Sequence, residues 1–558
     1  MKLFLIGILL LACWLGGIYL LHRQSKKSRR RRRRSKWLKR RSLKVGPEPE
    51  NRSLDIAPDP EKAPQSEEDP CDWEGSPDKG YPDRETVDFD CPSFVDVVSS
   101  GPFLFQPMIQ LGHPRPDDEG ARLEIVWGAL SDDGDWSVAI ECGDPCATAR
   151  ASRIEKQPVE LRGLTRHTLM RVRVDRINPG QRLEYRIFKD GVQVFAATTT
   201  APFGRETMAH RFAVVGDMGT GRSGNRSVAH QIWKHRPDLM VFVGDITYRF
   251  GRAGEYMLRF FPIYNADRAE PESGAPILRS IPSFTSAGNH CMGKSAPDQV
   301  PSFDQYADLY AYYLYWSMPL NGPEKIAGQS STADLLGSPE RINAFEEIAG
   351  DRFPVMANYS FDYGNAHWLV LDANAYMDWT EESLREWVEE DLKNVDPGMW
   401  KFVNFHQPPF TSNLKHKREK RMRLLCDLFE KYGVNVVFNG HAHTYERTYP
   451  LKFSLELHED GSKIDETGHV GGSIDKDLRF DGLSNTTPQG IIYIVTGAGG
   501  APHDSEYLHR RPHLWEPFTY KLIGDRFSFT VCDIDGDQLT LRQVDADGLE
   551  IDRIVITR

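Results

Sequence analysis

Residues 211–219 read RFAVVGDMG, and residues 238–248 read DLMVFVGDITY. In each stretch a run of β-branched, aliphatic and aromatic residues ends in Gly-Asp, which is typical of a buried strand that stops at a polar loop. Three later runs also end in a polar residue that can bind a metal: SFTSAGN at Asn289, KFVNFH at His406 and VVFNGH at His441. Amphipathic stretches that indicate helices separate these runs. The alternation predicts a domain of the α/β class.

The polar residues at the ends of these strands are the candidate site. In open α/β sheets the ligand site lies at the carboxyl ends of the strands, so we expect these side chains to converge on one crevice. One Asp or His at a strand end is usually a cap or a turn former, but five in one domain favour a shared function. With the Tyr and the second His that follow in GDITY and GHAH, the predicted metal ligands are Asp217, Asp245, Tyr248, Asn289, His406, His441 and His443.

The ligand types narrow the choice of metal. Carboxylates and imidazoles suit first-row metals, and a charged tyrosinate such as Tyr248 favours trivalent iron over Mg²⁺ or Ca²⁺. Asp245 has two carboxylate oxygens and stands in the middle of the GDxxY motif (244–248), so it is the natural bridge between two ions. Two ions about 3.5–4 Å apart hold the attacking and leaving oxygens of an in-line displacement at phosphorus, with hydroxide as the nucleophile.

Five short motifs, in this order, resemble the signature of the purple acid phosphatases: GDMG (216–219), GDITY (244–248), GNH (288–290), VNFH (403–406) and GHAH (440–443). The resemblance extends from about residue 100 to the end of the chain. It implies a four-layer αββα metallophosphoesterase sandwich, preceded by a β-sandwich like fibronectin type III. Each motif alone is weak, but all five in order are specific.

The resemblance also implies how the ligands divide between two metals. The Fe(III) site takes Asp217, Asp245, Tyr248 and His443. The second site holds a divalent ion, Fe, Zn or Mn, and takes Asp245, Asn289, His406 and His441. Tyr248 is the most informative match, because related metallophosphoesterases generally lack that ligand.

His290 follows Asn289 directly and is the predicted catalytic residue, placed to contact the substrate phosphate or to protonate the leaving alkoxide. The alternative is that His290 only orients Asn289. Two departures from the family pattern stand beside it: Cys291 replaces the usual acidic residue, and no further histidine occurs between His290 and Tyr313. Substrate choice and pH optimum are therefore expected to differ from those of better-known members. Cys291 itself is interpreted as a buried small residue rather than a reactive thiol.

Residues 96–205 predict a different architecture. Short alternating runs such as LEIVWGAL (123–130) and RLEYRIFKDG (182–191) are separated by Gly, Asp and Pro turns and show no helical period. This pattern predicts an antiparallel β-sandwich with a packing role. The α/β domain is then assigned to residues 206–558, including a C-terminal β segment with Asp-Gly turns.

The amino-terminal part differs in composition. Leu3–Leu21 is an uncharged apolar stretch of 19 residues, about the length that crosses a bilayer, so residues 1–21 are predicted to be a single-pass membrane anchor. Residues 22–95 begin with a Lys/Arg run and continue rich in Asp, Glu, Pro and Ser, which predicts a disordered tether. The basic run either binds anionic lipid or is simply solvated.

The side of the membrane is left open by conflicting signals. The basic run beside the span favours a cytoplasmic body by the positive-inside rule, whereas the family resemblance favours an extracytoplasmic one. The pairs Cys71/Cys91 and Cys142/Cys146 are either disulfides or ordinary thiols. No second metal-spaced pair follows either of them, so neither resembles a zinc site.

Charge excludes one class of partner. The basic residues at the amino terminus leave the rest of the chain strongly acidic, with 80 Asp and Glu in all, so we expect no nucleic-acid binding.

The sequence predicts hydrolysis of phosphate monoesters on small molecules. The alternatives are phosphodiester or nucleotide hydrolysis with the same metal pair, and a non-catalytic phosphate-binding adhesion module. The oligomeric state is not readable from the sequence.

Overall fold

The computed structural model describes residues 101–558, apart from 115–119, 131–132, 143–148, 294–300, 327–328 and 466. The predicted anchor and tether lie outside the described residues. So do Cys71, Cys91 and Cys146, and neither predicted cysteine pair is therefore described as a pair.

The prediction of a single-pass membrane protein is corrected. Among the described residues, no helix is both long and apolar enough to cross a membrane. The longest described α-helix, Ser223–His235, has 13 residues and spans about 20 Å, against roughly 30 Å of hydrocarbon in a bilayer. The membrane and lipid partners that the prediction implied are not carried forward. The stretch on which it was based, Leu3–Leu21, lies outside the described residues.

The first eight strands form two antiparallel sheets that pack face to face. They are β1 Phe103–Gln110, β2 Ala121–Ala129, β3 Trp136–Cys142, β4 Arg150–Ala151, β5 Glu155–Val159, β6 His167–Ile177, β7 Arg182–Lys189 and β8 Val192–Thr200. One sheet has the order β1-β2-β6, with β4 and β5 both paired to β6, and the other has the order β3-β7-β8. Alternate side chains of both sheets, Trp127 and Tyr185 among them, fill a common apolar core.

The remaining strands belong mainly to two larger sheets. They are β9 Ala209–Val215, β10 Leu239–Phe242, β11 Asn265–Glu270, β12 Gly274–Pro276, β13 Ser283–Thr285, β14 Tyr359–Tyr363, β15 Ala366–Val370, β16 Trp400–Asn404, β17 Val436–Asn439, β18 Tyr445–Thr448, β19 Leu451–Leu455, β20 Gly472–Lys476, β21 Ile492–Thr496, β22 Thr519–Ile523, β23 Ser528–Asp535, β24 Gln538–Asp545 and β25 Glu550–Thr557.

The described helices lie between these strands and are short. The α-helices are α1 Ser223–His235, α2 Ala253–Glu255, α3 Phe261–Tyr264, α4 Ala311–Tyr315, α5 Pro339–Ala349, α6 Glu382–Lys393 and α7 Cys426–Lys431. A π-helical turn, Tyr256–Phe260, joins α2 to α3. The 3₁₀ segments are Gly350–Arg352, Val355–Ala357, Arg421–Leu425, Glu506–Arg510 and Pro512–Leu514.

Each of the two larger sheets has a parallel centre. In the first, β9, β10 and β13 are parallel neighbours, and the C-terminal strands continue it in the order β25-β24-β23-β9. Its other edge runs into the sandwich through a single parallel pair, Gln110 and Ser283. The second sheet has the order β14-β15-β16-β17-β21-β18-β22, with β15, β16, β17 and β21 parallel.

The two larger sheets bury a shared aromatic core. The ring of Phe212 on β9 lies 4.9 Å from that of Trp368 and 5.2 Å from that of Phe402, which belong to the second sheet. Because side chains alternate along a strand, the next residue after Trp368, Leu369, points the other way and packs in a second cluster with Leu384 of α6. Helices therefore cover the second sheet on the face away from the shared core.

Candidate metal centre

The predicted ligands sit where the parallel strands end. Asp217 follows β9 by two residues and Asp245 follows β10 by three, while His406 and His441 each follow β16 and β17 by two. Asn289 lies four residues beyond β13. Parallel strands of one sheet point their carboxyl ends to one edge, so both sheets deliver these residues to the same edge of the core.

Three of these residues have a left-handed backbone. The φ angles are 57° at Asp217, 48° at Asp245 and 68° at His441. This region is unfavourable for residues other than Gly and costs on the order of 1–3 kcal/mol at each position. Such strain persists where the surrounding structure enforces it, and it is common at functional sites. Backbone and side chain at the three strand ends are thus held in one specific arrangement.

Asp217, Tyr248 and His443 form one side of the centre. The Tyr248 hydroxyl donates to Asp217 Oδ1 at 2.9 Å and lies 3.2 Å from His443 Nε2. His443 Nε2 is 3.5 Å from the same carboxylate oxygen, and His443 Nδ1 donates to the Pro502 carbonyl at 2.6 Å. The Nδ1 hydrogen bond leaves Nε2 as the ring nitrogen that faces the centre.

Asp245, His406 and His441 form the other side, and their ligand atoms lie within 4.8 Å of one another. His406 Nε2 is 3.1 Å from Asp245 Oδ2 and 3.9 Å from Asp217 Oδ1. His406 Nδ1 donates to the Val243 carbonyl at 2.7 Å, which again directs Nε2 to the carboxylates. The His441 backbone N–H donates to Asp217 Oδ2 at 2.7 Å and links the two sides.

Asn289 lies on a loop that packs against Asp245 through its two neighbours, Gly288 and His290. A Cβ on Gly288 would lie 2.1 Å from Asp245 Oδ1, so only glycine allows this approach. The His290 N–H donates to the same oxygen at 2.8 Å. His290 Nδ1 donates to the Arg249 carbonyl at 2.6 Å, and its Nε2 lies 3.9 Å from Asp245 Oδ2. His290 Nε2 is thus the ring nitrogen on the side of Asp245.

Burial and charge make the centre fit a cation. His406 is fully buried, which lowers its pKa, but Asp245 and Asp217 outweigh this and raise the pKa to about 9. Burial and Asp217 raise the pKa of Tyr248 well above its usual value. When no metal is bound, a protonated His406 therefore compensates the negative charge of the buried carboxylates. Ionisation of Tyr248 to a tyrosinate requires a strong positive charge beside it.

Cys291 is buried, and burial raises the pKa of its thiol to about 12. A thiol with so high a pKa carries almost no thiolate at neutral pH, and the thiolate is the nucleophilic form. This agrees with the interpretation of Cys291 as a buried small residue.

Sequence reasoning missed three residues at the edge of the centre: His416, Glu419 and Asp504. The His416 ring packs against that of His441, with centroids 3.9 Å apart and ring planes inclined by 58°, and its Nε2 lies 3.2 Å from Asp504 Oδ2. Glu419 Oε2 is 3.1 Å from His441 Nε2. The family pattern directs attention to histidines shortly after His290, whereas His416 lies ten residues beyond His406. The signal in the sequence that could have identified His416 and Glu419 is the polar run about ten residues beyond His406.

The predicted ligands, from Asp217 to His443, lie within the part of the chain that matches a known family. The calcineurin-like phosphoesterase family model matches residues 210–445. Purple acid phosphatase 23 of Arabidopsis thaliana is 27% identical over 326 residues, 56% of this chain and 64% of that protein. Acid phosphatase type 7 of Mus musculus is 24% identical over 378 residues, 62% of this chain and 67% of that protein. Purple acid phosphatase 18 of Arabidopsis thaliana is 37% identical over 243 residues, 42% and 44% of the two chains.

The chain spans about half to two thirds of the length of these relatives. Among solved structures, purple acid phosphatase PPD1 from yellow lupin (Lupinus luteus) seeds matches 81% of this chain and 74% of its own, with a TM-score of 0.52 and 17% identity. That likeness shows a shared mixed α/β metallophosphoesterase fold, while the fibronectin-III-like character of the sandwich stays a prediction. The predicted resemblance is confirmed: residues 210–445 match the calcineurin-like phosphoesterase family model, and the chain has purple acid phosphatases as homologues.

Proposed function

We propose that this protein hydrolyses phosphate monoesters of small molecules at a centre of Fe(III) and a second divalent metal, Fe, Zn or Mn. The observation that carries the proposal is the pair of buried carboxylates, Asp217 and Asp245, with the Tyr248 hydroxyl, His406 and His443 within 2.9 to 3.9 Å of them. Phosphatase names among the homologues support the same reaction class.

The donor set fits two metals of different character. Tyr248, Asp217 and His443 lie together and would hold iron, while His406, His441 and Asn289 would hold the divalent ion, with Asp245 shared. Bound metals would supply the Lewis acid and an activated water for displacement at phosphorus. Only one side has a phenolate ligand, and that side therefore favours the harder and more highly charged of the two metal ions.

His290 and His416 are the proposed substrate contacts. The hydrogen bond from His290 Nδ1 to the Arg249 carbonyl fixes the ring and leaves Nε2 to contact a phosphate oxygen or the leaving-group oxygen. His416 lies on a different loop, where its ring packs against that of His441 and its Nε2 faces Asp504. The two imidazoles can thus orient the substrate without being metal ligands themselves.

Metal analysis combined with two aryl substrates tests the proposal. We expect iron and a second metal in the purified protein, and faster turnover of an aryl monophosphate than of its bis-aryl diester. Faster turnover of the diester would favour the diesterase alternative. Absence of iron, or of hydrolysis of both esters, would refute the proposal. Asp475→Ala, at an exposed Asp of the β19–β20 hairpin, serves as the control for Asp245→Ala.

A further inference from the structure

The two loops that carry Asn289 and His406 come from different sheets. Asn289 follows β13 of the first sheet, and His406 follows β16 of the second. Their separation decides whether both can hold one ion, because metal ligands must lie within tenths of an ångström of their ideal distances. A side chain that contacts both loops would therefore control the proposed divalent position.

Asn374 is such a side chain. Its amide oxygen accepts from Gln407 Nε2 at 3.0 Å, on the residue directly after His406. Its amide nitrogen lies 3.5 Å from the Ala287 carbonyl and 3.4 Å from the Gly288 carbonyl, directly before Asn289. These last two contacts are long hydrogen bonds that one N–H shares. Asn374 thus spans the gap between the two loops from its own position after β15.

Asn374 is itself held rigidly by Asp372. Asp372 Oδ1 accepts from the Asn374 backbone N–H at 2.9 Å and from the Asn374 amide at 2.8 Å. The Asp372 backbone N–H donates to Asn358 Oδ1 at 2.8 Å, and the Asp372 carbonyl accepts from Trp379 Nε1 at 3.0 Å. Asp372 and Asn374 are 1% and 2% exposed, so water does not compete for these bonds.

We propose that Asn374 is a positioning residue that fixes the Asn289 loop relative to the His406 loop and thereby sets the affinity of the divalent metal position. The inference rests on the proposed function, because it takes Asn289 and His406 as ligands of one ion. Asn374 contacts residues next to the proposed ligands in the chain, and it is not a proposed ligand itself. Asp372 and Gln407 complete the connection on either side.

The test measures the affinity of the second position for Zn²⁺ by chelator competition in the full chain, with the visible band of the iron position as an internal reference. Loss of a group that orients metal ligands lowers metal affinity by about 10–100-fold, which is the change expected for Asn374→Ala. The visible band should be unchanged, since Asp217, Tyr248 and His443 do not contact Asn374. The matched control is Asn365→Ala. Asn365 is also 2% exposed, but it lies at the other end of β15 and donates to the Gly536 carbonyl.

Gln407→Ala keeps the inference testable if Asn374→Ala fails to fold. It removes only the contact on the His406 side and should weaken Zn²⁺ binding by several-fold. The double variant should bind no more weakly than Asn374→Ala, since both changes break one connection. Equal Zn²⁺ affinity in Asn374→Ala and Asn365→Ala, or unchanged affinity in Gln407→Ala, would overturn the inference. A wild-type protein that holds no second metal would instead refute the proposed function.

Discussion

The β-sandwich and the α/β region differ in the kind of side chain that they bury. In the sandwich the interior between the sheets is filled by apolar side chains such as Trp127 and Tyr185. In the α/β region the strands lead into Asp217, Asp245 and His406, which are 0%, 1% and 0% exposed. Buried charges cost stability, and apolar replacements of similar volume are often neutral or stabilising. One region is thus built for packing, whereas the other retains buried charge at the site proposed to bind metal.

The largest expected effect comes from Asp245→Ala, which removes the shared carboxylate. Because the proposed metal centre would supply several kcal/mol of transition-state stabilisation, turnover of an aryl monophosphate should fall by about 10³-fold or more. Initial rates with metal analysis of the same sample check this. Activity that stays near that of wild type would show that the centre is not where the chemistry occurs.

Trp127→Ala tests the packing side of the comparison. Trp127 is fully buried, with its ring 5.9 Å from that of Trp136, and its removal should lower the free energy of unfolding by about 3–5 kcal/mol. Denaturant unfolding gives that value, and turnover per folded molecule should stay close to wild type. A loss of turnover as large as that of Asp245→Ala would place the sandwich in the site.

His416→Ala should have an intermediate effect. One lost hydrogen bond to a charged ligand is worth about 1.5–3 kcal/mol, so kcat/KM should fall by roughly 10–100-fold. We expect most of the change in KM if His416 only orients the substrate. His458→Ala, a half-buried histidine in the β19–β20 loop, is the control. Equal kinetics in the two variants would remove His416 from the proposed site.

His367 provides a contrast within the α/β region, because this buried histidine has partners of its own. Burial lowers its pKa, but hydrogen bonds to Asp362 and Asp391 at 2.8 and 2.9 Å outweigh this and raise it to about 9. A raised pKa stabilises the fold fully below pH 6.5, and this contribution is lost as the pH rises through about 9. It amounts to about 3 kcal/mol.

Unfolding of wild type and His367→Gln across that pH range measures the contribution. The variant should be less stable than wild type below pH 6.5, and the two should converge above about pH 9. Parallel stability curves would show that the pairing with Asp362 and Asp391 contributes nothing.

The sequence could predict the strands and their ends, because apolar runs that stop at a polar residue mark both. That rule was enough to predict Asp217, Asp245 and His406 as candidate ligands. Asp372 obeys the same rule after β15, yet it lacked a motif that would single it out. Asn374 could not be found from the sequence, since its contacts join two loops from different sheets.

Loop residues were harder to predict than strand ends. His416 reaches the centre only because residues 413–419 fold back on His441, and no periodic pattern encodes that path. The membrane prediction was based on the apolar length of a stretch outside the described residues. Within the described part of the chain, no helix satisfies the same length criterion.

The most direct test of the centre is the visible absorption spectrum of wild type and Tyr248→Phe, with metal analysis of both. We expect iron in the wild-type protein and a broad charge-transfer band from tyrosinate to Fe(III) that Tyr248→Phe abolishes. A colourless protein with two zinc ions, or a band that survives in Tyr248→Phe, would contradict it.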